Sequence, residues 1–210
     1  PIQGEGGINS ADSDYLRELK TIADKANILL FFDEVQTGVG RTGKLFAHEW
    51  SNIQPDVMAI AKGLGGGFPI GACLANRKTT EIMTPGTHGS TFGGNPMASA
   101  AANAVLDIVL KSGFLANVHK NGIYLHEQLK AITDKYKFLG EIRGKGLLVG
   151  VACSDGVINT DIVKVAENIG LLLVPAGNNV IRIIPPLIIT KTEIDEGLAL
   201  FDQACSSFNC

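Results

Sequence analysis

The sequence predicts an α/β fold followed by a smaller α+β domain, and three observations carry that expectation. Two unbroken apolar runs, "ILLFFDEV" and "DVMAIAK", suit strands buried on both faces. A helical repeat of Leu16, Leu19, Ile22, Ala23 and Ala26 in "SDYLRELKTIADKANI" precedes the first run, so helix and strand alternate as around a mostly parallel sheet. After about residue 138 the texture changes to short strands around turns, with helices between them.

The elements follow in order. "PIQGEGGINS" reads as the end of a strand entering a loop; it is neither a signal sequence nor a transit peptide, and suits part of a longer chain. Ser13 or Asp12 caps the first helix. "QTGVGRTGK" is a glycine-rich loop after the first strand, and "IGACLAN" a third buried-strand candidate. "NPMASAAANAVLDIVLKSG" is a helix with Asn95 as cap, Pro96 in the first turn and Gly113 near the stop. "FLANVHKNGIYLHEQLKAITDKY" continues as an amphipathic helix with Leu115, Val118, Ile123, Leu125 and Leu129 inward. "LGEIRGKGLLVGVAC" and "LLLVPAGNNVIRIIPP" supply short strands, and "DIVKVAENIG" and "TEIDEGLALFDQACSSF" supply helices. The expected division is 1–112, a connecting helix 113–137, and a small domain 138–210.

Composition narrows the function classes. The 210 residues are 45% hydrophobic with a formal charge of -3, enough for a real core and without the Lys/Arg block of a nucleic-acid or anionic-membrane surface. The longest apolar stretches, such as "NILLFF" and "GLLLVPAG", fall short of the roughly 20 residues that span a membrane. Cys73, Cys153, Cys205 and Cys210 include no CxxC pair and read as the reduced thiols of a cytosolic-type protein. His48, His88, His119 and His126 show no metal-ligand spacing, so no metal is expected.

Asp33 and Lys62 each end an apolar run. Alone, Asp33 reads as a loop carboxylate capping a turn, and Lys62 as a lysine snorkelling from a strand end. If the strands are parallel, both emerge on one sheet edge, where α/β folds place ligands. A lysine with its pKa lowered by partial burial or nearby positive charge attacks carbonyls, and pyridoxal phosphate uses such a lysine together with a carboxylate at its pyridine nitrogen. Gly63, Gly65, Gly66 and Gly67 would let the backbone turn sharply and leave room for a ring. Two neighbouring patterns are decoys. "GVGRTGKL" nearly spells a phosphate-binding loop, but Leu45 cannot ligand magnesium, and "GLGGGFPIG" has Phe68 or Ile70 where a dinucleotide fingerprint needs glycine.

"FFDEVQTGVGRTGKLFAHEW", "PDVMAIAKGLGGGFPIGA", "THGSTFGGNPMASAAA" and "LLLVPAGNNVIRIIPPLIIT" together resemble class III (ornithine-type) aminotransferases, in the family's order and along the whole chain. The resemblance implies the fold type I architecture of pyridoxal 5'-phosphate enzymes, with 1–112 as the C-terminal part of the large cofactor-binding domain. It also implies a cytoplasmic homodimer with active sites at the subunit interface. The implied reaction moves the side-chain amino group of N2-acetylornithine to 2-oxoglutarate, a step of arginine biosynthesis. Ornithine, succinyldiaminopimelate or 4-aminobutyrate are the alternative donors of the class, and an inactive fragment serving only as a scaffold is the alternative outside it.

Carried over by motif, Lys62 is the lysine that bonds the cofactor aldehyde and moves the proton. Asp33 partners the pyridine nitrogen, Val35 packs on a ring face, and Gln36 hydrogen-bonds the ring's 3-oxygen. Thr91, assisted by Ser90, reaches the cofactor phosphate of the neighbouring subunit. Arg182 binds a substrate carboxylate, for which a planar guanidinium suits better than lysine. Glu5 matches the glutamate that pairs with that arginine when no carboxylate is held there. The resemblance also implies, ahead of "PIQGE", a Gly-Thr phosphate loop, a stacking aromatic and a second carboxylate-binding arginine, which this chain does not contain.

Overall fold

In the computed structural model, which describes residues 1–154 and 156–208, Asp12 starts the first helix. Its Oδ1 accepts from the backbone N–H of Asp14 (2.7 Å) and Tyr15 (3.3 Å), so Asp12 and not Ser13 caps α1 (Ser13–Lys25). Leu16 and Ala23 of the helical repeat are buried in a cluster with Leu30 and Phe32, whereas Ile22 is exposed. Two compact units result: Pro1 with Ala11–Leu115, and Ile2–Ser10 with Ala116–Cys210.

In the first unit, β3 (Phe31–Asp33) runs parallel to β4 (Val57–Ile60), and β5 (Ala72–Ala75) lies antiparallel on the other side of β4. The sheet is therefore mixed, and two burial expectations are corrected. Ala72, Cys73 and Leu74 are exposed, because β5 is an edge strand paired on one side only. Phe32 faces inward but Phe31 is 53% exposed, so the first run buries one face and not two. An apolar run alone does not distinguish these cases. Asp56 closes the other end of the sheet. Its carboxylate accepts from the Leu30 N–H (2.8 Å) and Asn76 Nδ2 (2.7 Å), and the Leu30 hydrogen bond above all holds its pKa below the usual value. After α2 (Arg77–Thr80), the Asn95 side chain accepts from Ala98 N–H at 3.0 Å to cap α3 (Pro96–Val109), with Pro96 in the first turn. Ala102 and Val109 of α3 pack with Val39, Met58, Ile60 and Leu64.

Helix α4 (Phe114–Lys135) begins in the first unit and continues in the second. Val118, Leu125 and Leu129 are buried; Ile123 is not. The second unit's antiparallel sheet has the order β6-β7-β9-β8, from β6 (Leu139–Lys145), β7 (Leu148–Cys153), β8 (Val174–Ala176) and β9 (Val180–Ile183). It carries α5 (Asn159–Asn168) and α6 (Lys191–Ser206), the latter opened by a Thr190–Glu193 capping box. The opening residues are a hairpin of this unit, β1 (Ile2–Gln3) against β2 (Asn9–Ser10). Ile8, with φ of 54°, is fully buried against Leu148 and Val180. A Cβ on Gly150 would stand 2.8 Å from Ile8 Cγ1, so that glycine makes room for it.

Among the described residues no single helix is long and apolar enough to cross a membrane; the bent pair α3 and α4 passes only when the two are taken together. Cys73, Cys153 and Cys205 are free, and Cys210 lies outside the described residues. Burial pushes the Cys153 thiol up to about 11 and the Cys205 thiol up to about 12.

Candidate functional site

Asp33 ends β3 beside Ala59 of β4, and Lys62 follows β4 after Ile60 and Ala61. Because these strands are parallel neighbours, both residues stand at the same carboxyl edge. Both are exposed. Lys62 opens a 3-10 turn, Lys62–Gly65, with φ of 43°. A non-glycine residue pays roughly 1–2 kcal/mol to sit in this left-handed region, and such strain concentrates at functional positions. The glycines after it divide by role. A Cβ on Gly65 would lie 2.9 Å from Ile70 Cγ2, and one on Gly66 (φ of 58°) 2.9 Å from Val105 Cγ2, so these two serve the turn's own packing. Only around Gly67 is there nothing within 4 Å, which narrows the expectation that all four clear space for a ring.

Asp33 is held by its neighbours. Its Oδ1 accepts from the Val35 N–H at 2.9 Å, and Val35 and Gln36 are half-buried in the turn that follows. Glu34, which sequence reasoning passed over, is fully buried and anchors this turn. Its Oε1 accepts from His48 N–H (2.8 Å) and His48 Nδ1 (3.2 Å), and its Oε2 from Ala47 N–H (3.0 Å) and the Thr37 hydroxyl. Burial alone would raise the Glu34 pKa, but His48, Thr37 and the two backbone donors together bring it below its ordinary value. The alternation of a strand was the available signal: if Asp33 points outward, Glu34 points inward. The phosphate-loop lookalike is structural. Gly40 N–H donates to Leu45 O (3.1 Å), and Lys44 Nζ donates to Glu49 O (3.0 Å) while lying over the Trp50 ring.

Ser90 and Thr91 lie exposed in the loop before α3, with no hydrogen bond to Asp33, Val35 or Lys62 among the described residues.

In the second unit, Arg182 sits on β9 between Gly150 of β7 and Val174 of β8. Its Nη1 donates to Glu5 Oε1 at 2.6 Å. The pair is lopsided: the arginine side chain is 6% exposed and the glutamate side chain 74%. The hairpin loop is clamped to bring Glu5 there. Gly177 N–H donates to Glu5 O (2.8 Å) and Asn178 Nδ2 to Gly6 O (3.0 Å). A Cβ on Gly7 would stand 2.6 Å from the Gly177 carbonyl oxygen.

The model of the family "Aminotransferase class-III" matches residues 1–205. The chain is 51% identical over 205 residues to the acetylornithine aminotransferase of Brucella melitensis, covering 97% of this chain and 50% of that protein. It is 47% identical over 203 residues to the acetylornithine aminotransferase of Bacillus subtilis, covering 97% and 52%. Among solved structures, the ornithine aminotransferase of Plasmodium yoelii superposes with a TM-score of 0.92 at 37% identity, covering 100% of this chain and 57% of that one. N-acetylornithine aminotransferase from Stenotrophomonas maltophilia superposes with a TM-score of 0.89 at 39% identity, covering 99% and 55%. The chain spans about half the length of the curated relatives it matches. Its fold is fold type I, and the chain belongs to the class III aminotransferase family.

Proposed function

We propose that the protein containing this chain is a pyridoxal 5'-phosphate-dependent aminotransferase that moves the side-chain amino group of N2-acetylornithine to 2-oxoglutarate. The observation that carries the reading is the placement of Asp33 and strained Lys62 at one edge of two parallel strands, in a chain of this family. The donor set suits the cofactor: a carboxylate for a pyridinium nitrogen and an exposed primary amine for an aldehyde. When bound, pyridoxal phosphate supplies that aldehyde and a ring that takes up the negative charge left on a deprotonated carbon.

The chain's residues then have distinct tasks. The Asp33 carboxylate keeps a proton on the ring nitrogen. Gln36 hydrogen-bonds the ring's 3-oxygen and Val35 packs on a ring face. Lys62 Nζ removes the proton from the amino-bearing carbon of the donor, as a general base. Arg182 binds a carboxylate of 2-oxoglutarate, and Glu5 takes that place when the donor is bound. In a homodimer, Thr91 and Ser90 hold the phosphate of the partner's cofactor, and the enzyme works in the cytoplasm on small amino and oxo acids, with no nucleic acid or membrane.

The test uses the complete protein. Incubation with pyridoxal phosphate followed by borohydride is expected to fix a pyridoxyl group on Lys62, identified by peptide mass spectrometry and absent in Lys62→Ala. No label on the wild type would leave the chain a scaffold. Assays with N2-acetylornithine, ornithine, succinyldiaminopimelate and 4-aminobutyrate then rank the donors. Ornithine is the second reading, favoured by the likeness to the Plasmodium yoelii structure; a higher kcat/KM for ornithine would replace the first. Light scattering tests the dimer and cell fractionation the location.

A further inference from the structure

We propose that Glu34 is a positioning residue for the reaction: its buried carboxylate, tied to Thr37, Ala47 and His48, sets where Asp33 and Gln36 stand at the sheet edge. This rests on the reading above, in which Asp33 and Gln36 hold the cofactor ring.

A carboxylate taken out of water must be supplied with donors. Glu34 has four, and they come from two separate stretches of chain: the Thr37 hydroxyl just past Gln36, and the N–H groups of Ala47 and His48 with the His48 ring. Facing a buried carboxylate, His48 Nδ1 is the donor, since an ionised carboxylate only accepts. The imidazole is itself fixed, stacked on Phe46 with centroids 5.7 Å apart and planes 12° apart. The Glu34 main chain does the rest. Its N–H donates to Ala59 O (2.9 Å), carrying the parallel pairing one residue past Asp33. Its carbonyl accepts from Gly38 N–H (2.9 Å), closing the turn that contains Val35 and Gln36. A Cβ on Gly38 would stand 2.7 Å from that carbonyl oxygen, so the turn needs glycine there. Val35 is thus held from both sides, and its N–H holds Asp33 Oδ1. Glu34 acts on the ring through Asp33 and Gln36 and does not touch it.

The experiment uses the complete protein loaded with pyridoxal phosphate. Glu34→Gln keeps the volume but turns an amide N–H₂ toward N–H donors. The visible absorption and circular dichroism of the bound cofactor are expected to change, with kcat falling roughly 10- to 100-fold and KM for 2-oxoglutarate within about twofold, the pattern of a misplaced reacting group. If Glu34→Gln lowers only the melting temperature, leaving the cofactor spectra and kcat of the folded holoprotein at wild-type values, its role is structural and the proposal falls. Thr37→Val removes one donor at nearly constant volume and decides the matter if Glu34→Gln is insoluble. It is expected to change the spectra in the same direction with a smaller loss of kcat, while Thr37→Ser keeps the wild-type spectra. Unchanged spectra in Thr37→Val would then overturn the proposal. Asp33→Ala separates the two levels. If it leaves the spectra unchanged, the reading of the whole site fails. If it changes them while Glu34→Gln and Thr37→Val do not, only the positioning role fails.

Discussion

Replacing Glu5 by glutamine tests the carboxylate site most directly, and the structure sets the size of the effect. Glu5 and Arg182 meet at 2.6 Å, a close charge-assisted hydrogen bond. The Glu5 side chain is 74% exposed, so water reaches one half of the pair. Solvent screening brings the pair down to about 1 kcal/mol, near the top of the range for exposed ion pairs. A substrate carboxylate that takes Arg182 gives up that amount, a factor of about five in binding. In the complete protein, Glu5→Gln is therefore expected to raise kcat/KM for 2-oxoglutarate about fivefold, mostly through KM. Steady-state kinetics with varied 2-oxoglutarate at saturating donor measures this. Arg182→Lys loses the planar fork and is expected to raise KM tenfold or more, and adding Glu5→Gln to it should then gain less than fivefold. If Glu5→Gln leaves kcat/KM for 2-oxoglutarate unchanged or lowers it, Glu5 does not compete with substrate, and the pair is only a structural contact between the hairpin loop and β9.

Three further outcomes follow from the same geometry. Gly66→Ala forces a side chain into φ of 58° and sets a methyl 2.9 Å from Val105 Cγ2; strain and overpacking together are expected to cost about 2 kcal/mol, read as a lower urea midpoint, and an unmoved midpoint would refute the packing role of this glycine. Because the Glu34 pKa is held below its ordinary 4.5, its contribution to stability is full above pH 4.5 and is lost as the pH falls through its lower folded value; wild-type stability should therefore fall more steeply below pH 4.5 than that of Glu34→Gln, and equal slopes would show that Glu34 does not carry the effect. With their thiols pushed up to about 11 and about 12 by burial, Cys153 and Cys205 should alkylate at pH 8 far more slowly in the folded protein than in urea, by mass spectrometry of the modified peptides.

Much of the helix framework was legible in the sequence because its signals are local. Asn95, Pro96 and the Thr190–Glu193 capping box mark helix starts within a few residues of chain. The exposure of edge strand β5 is not legible in the sequence, because burial depends on what lies across the sheet and not on the residues of "ACLA". Gly122, in the middle of α4, was equally opaque. A Cβ there would stand 2.5 Å from the Gly146 carbonyl oxygen, a contact with a turn far away in sequence. The left-handed Ile8 is illegible for the same reason: no local pattern announces a β-branched residue at positive φ, and its packing against Leu148, Gly150 and Val180 is visible in the fold alone.

The adjacent acids Asp33 and Glu34 show where local reading stops and what extends it. Once a strand is assigned, its pleat forbids both side chains from sharing a face. That much follows from the sequence; in the structure Glu34 is the buried one of the two and Asp33 the exposed one. Which one is buried is decided by donors, because a carboxylate without them costs several kcal/mol in an apolar interior. Glu34 has Thr37 nearby, but its other donors, Ala47 and His48, come from beyond a glycine-rich loop. The loop returns the chain to satisfy Glu34 inside, and Asp33 stands exposed at the edge that Lys62 also reaches. The segment that looked like a phosphate-binding loop works as the clasp that orients the acid beside it.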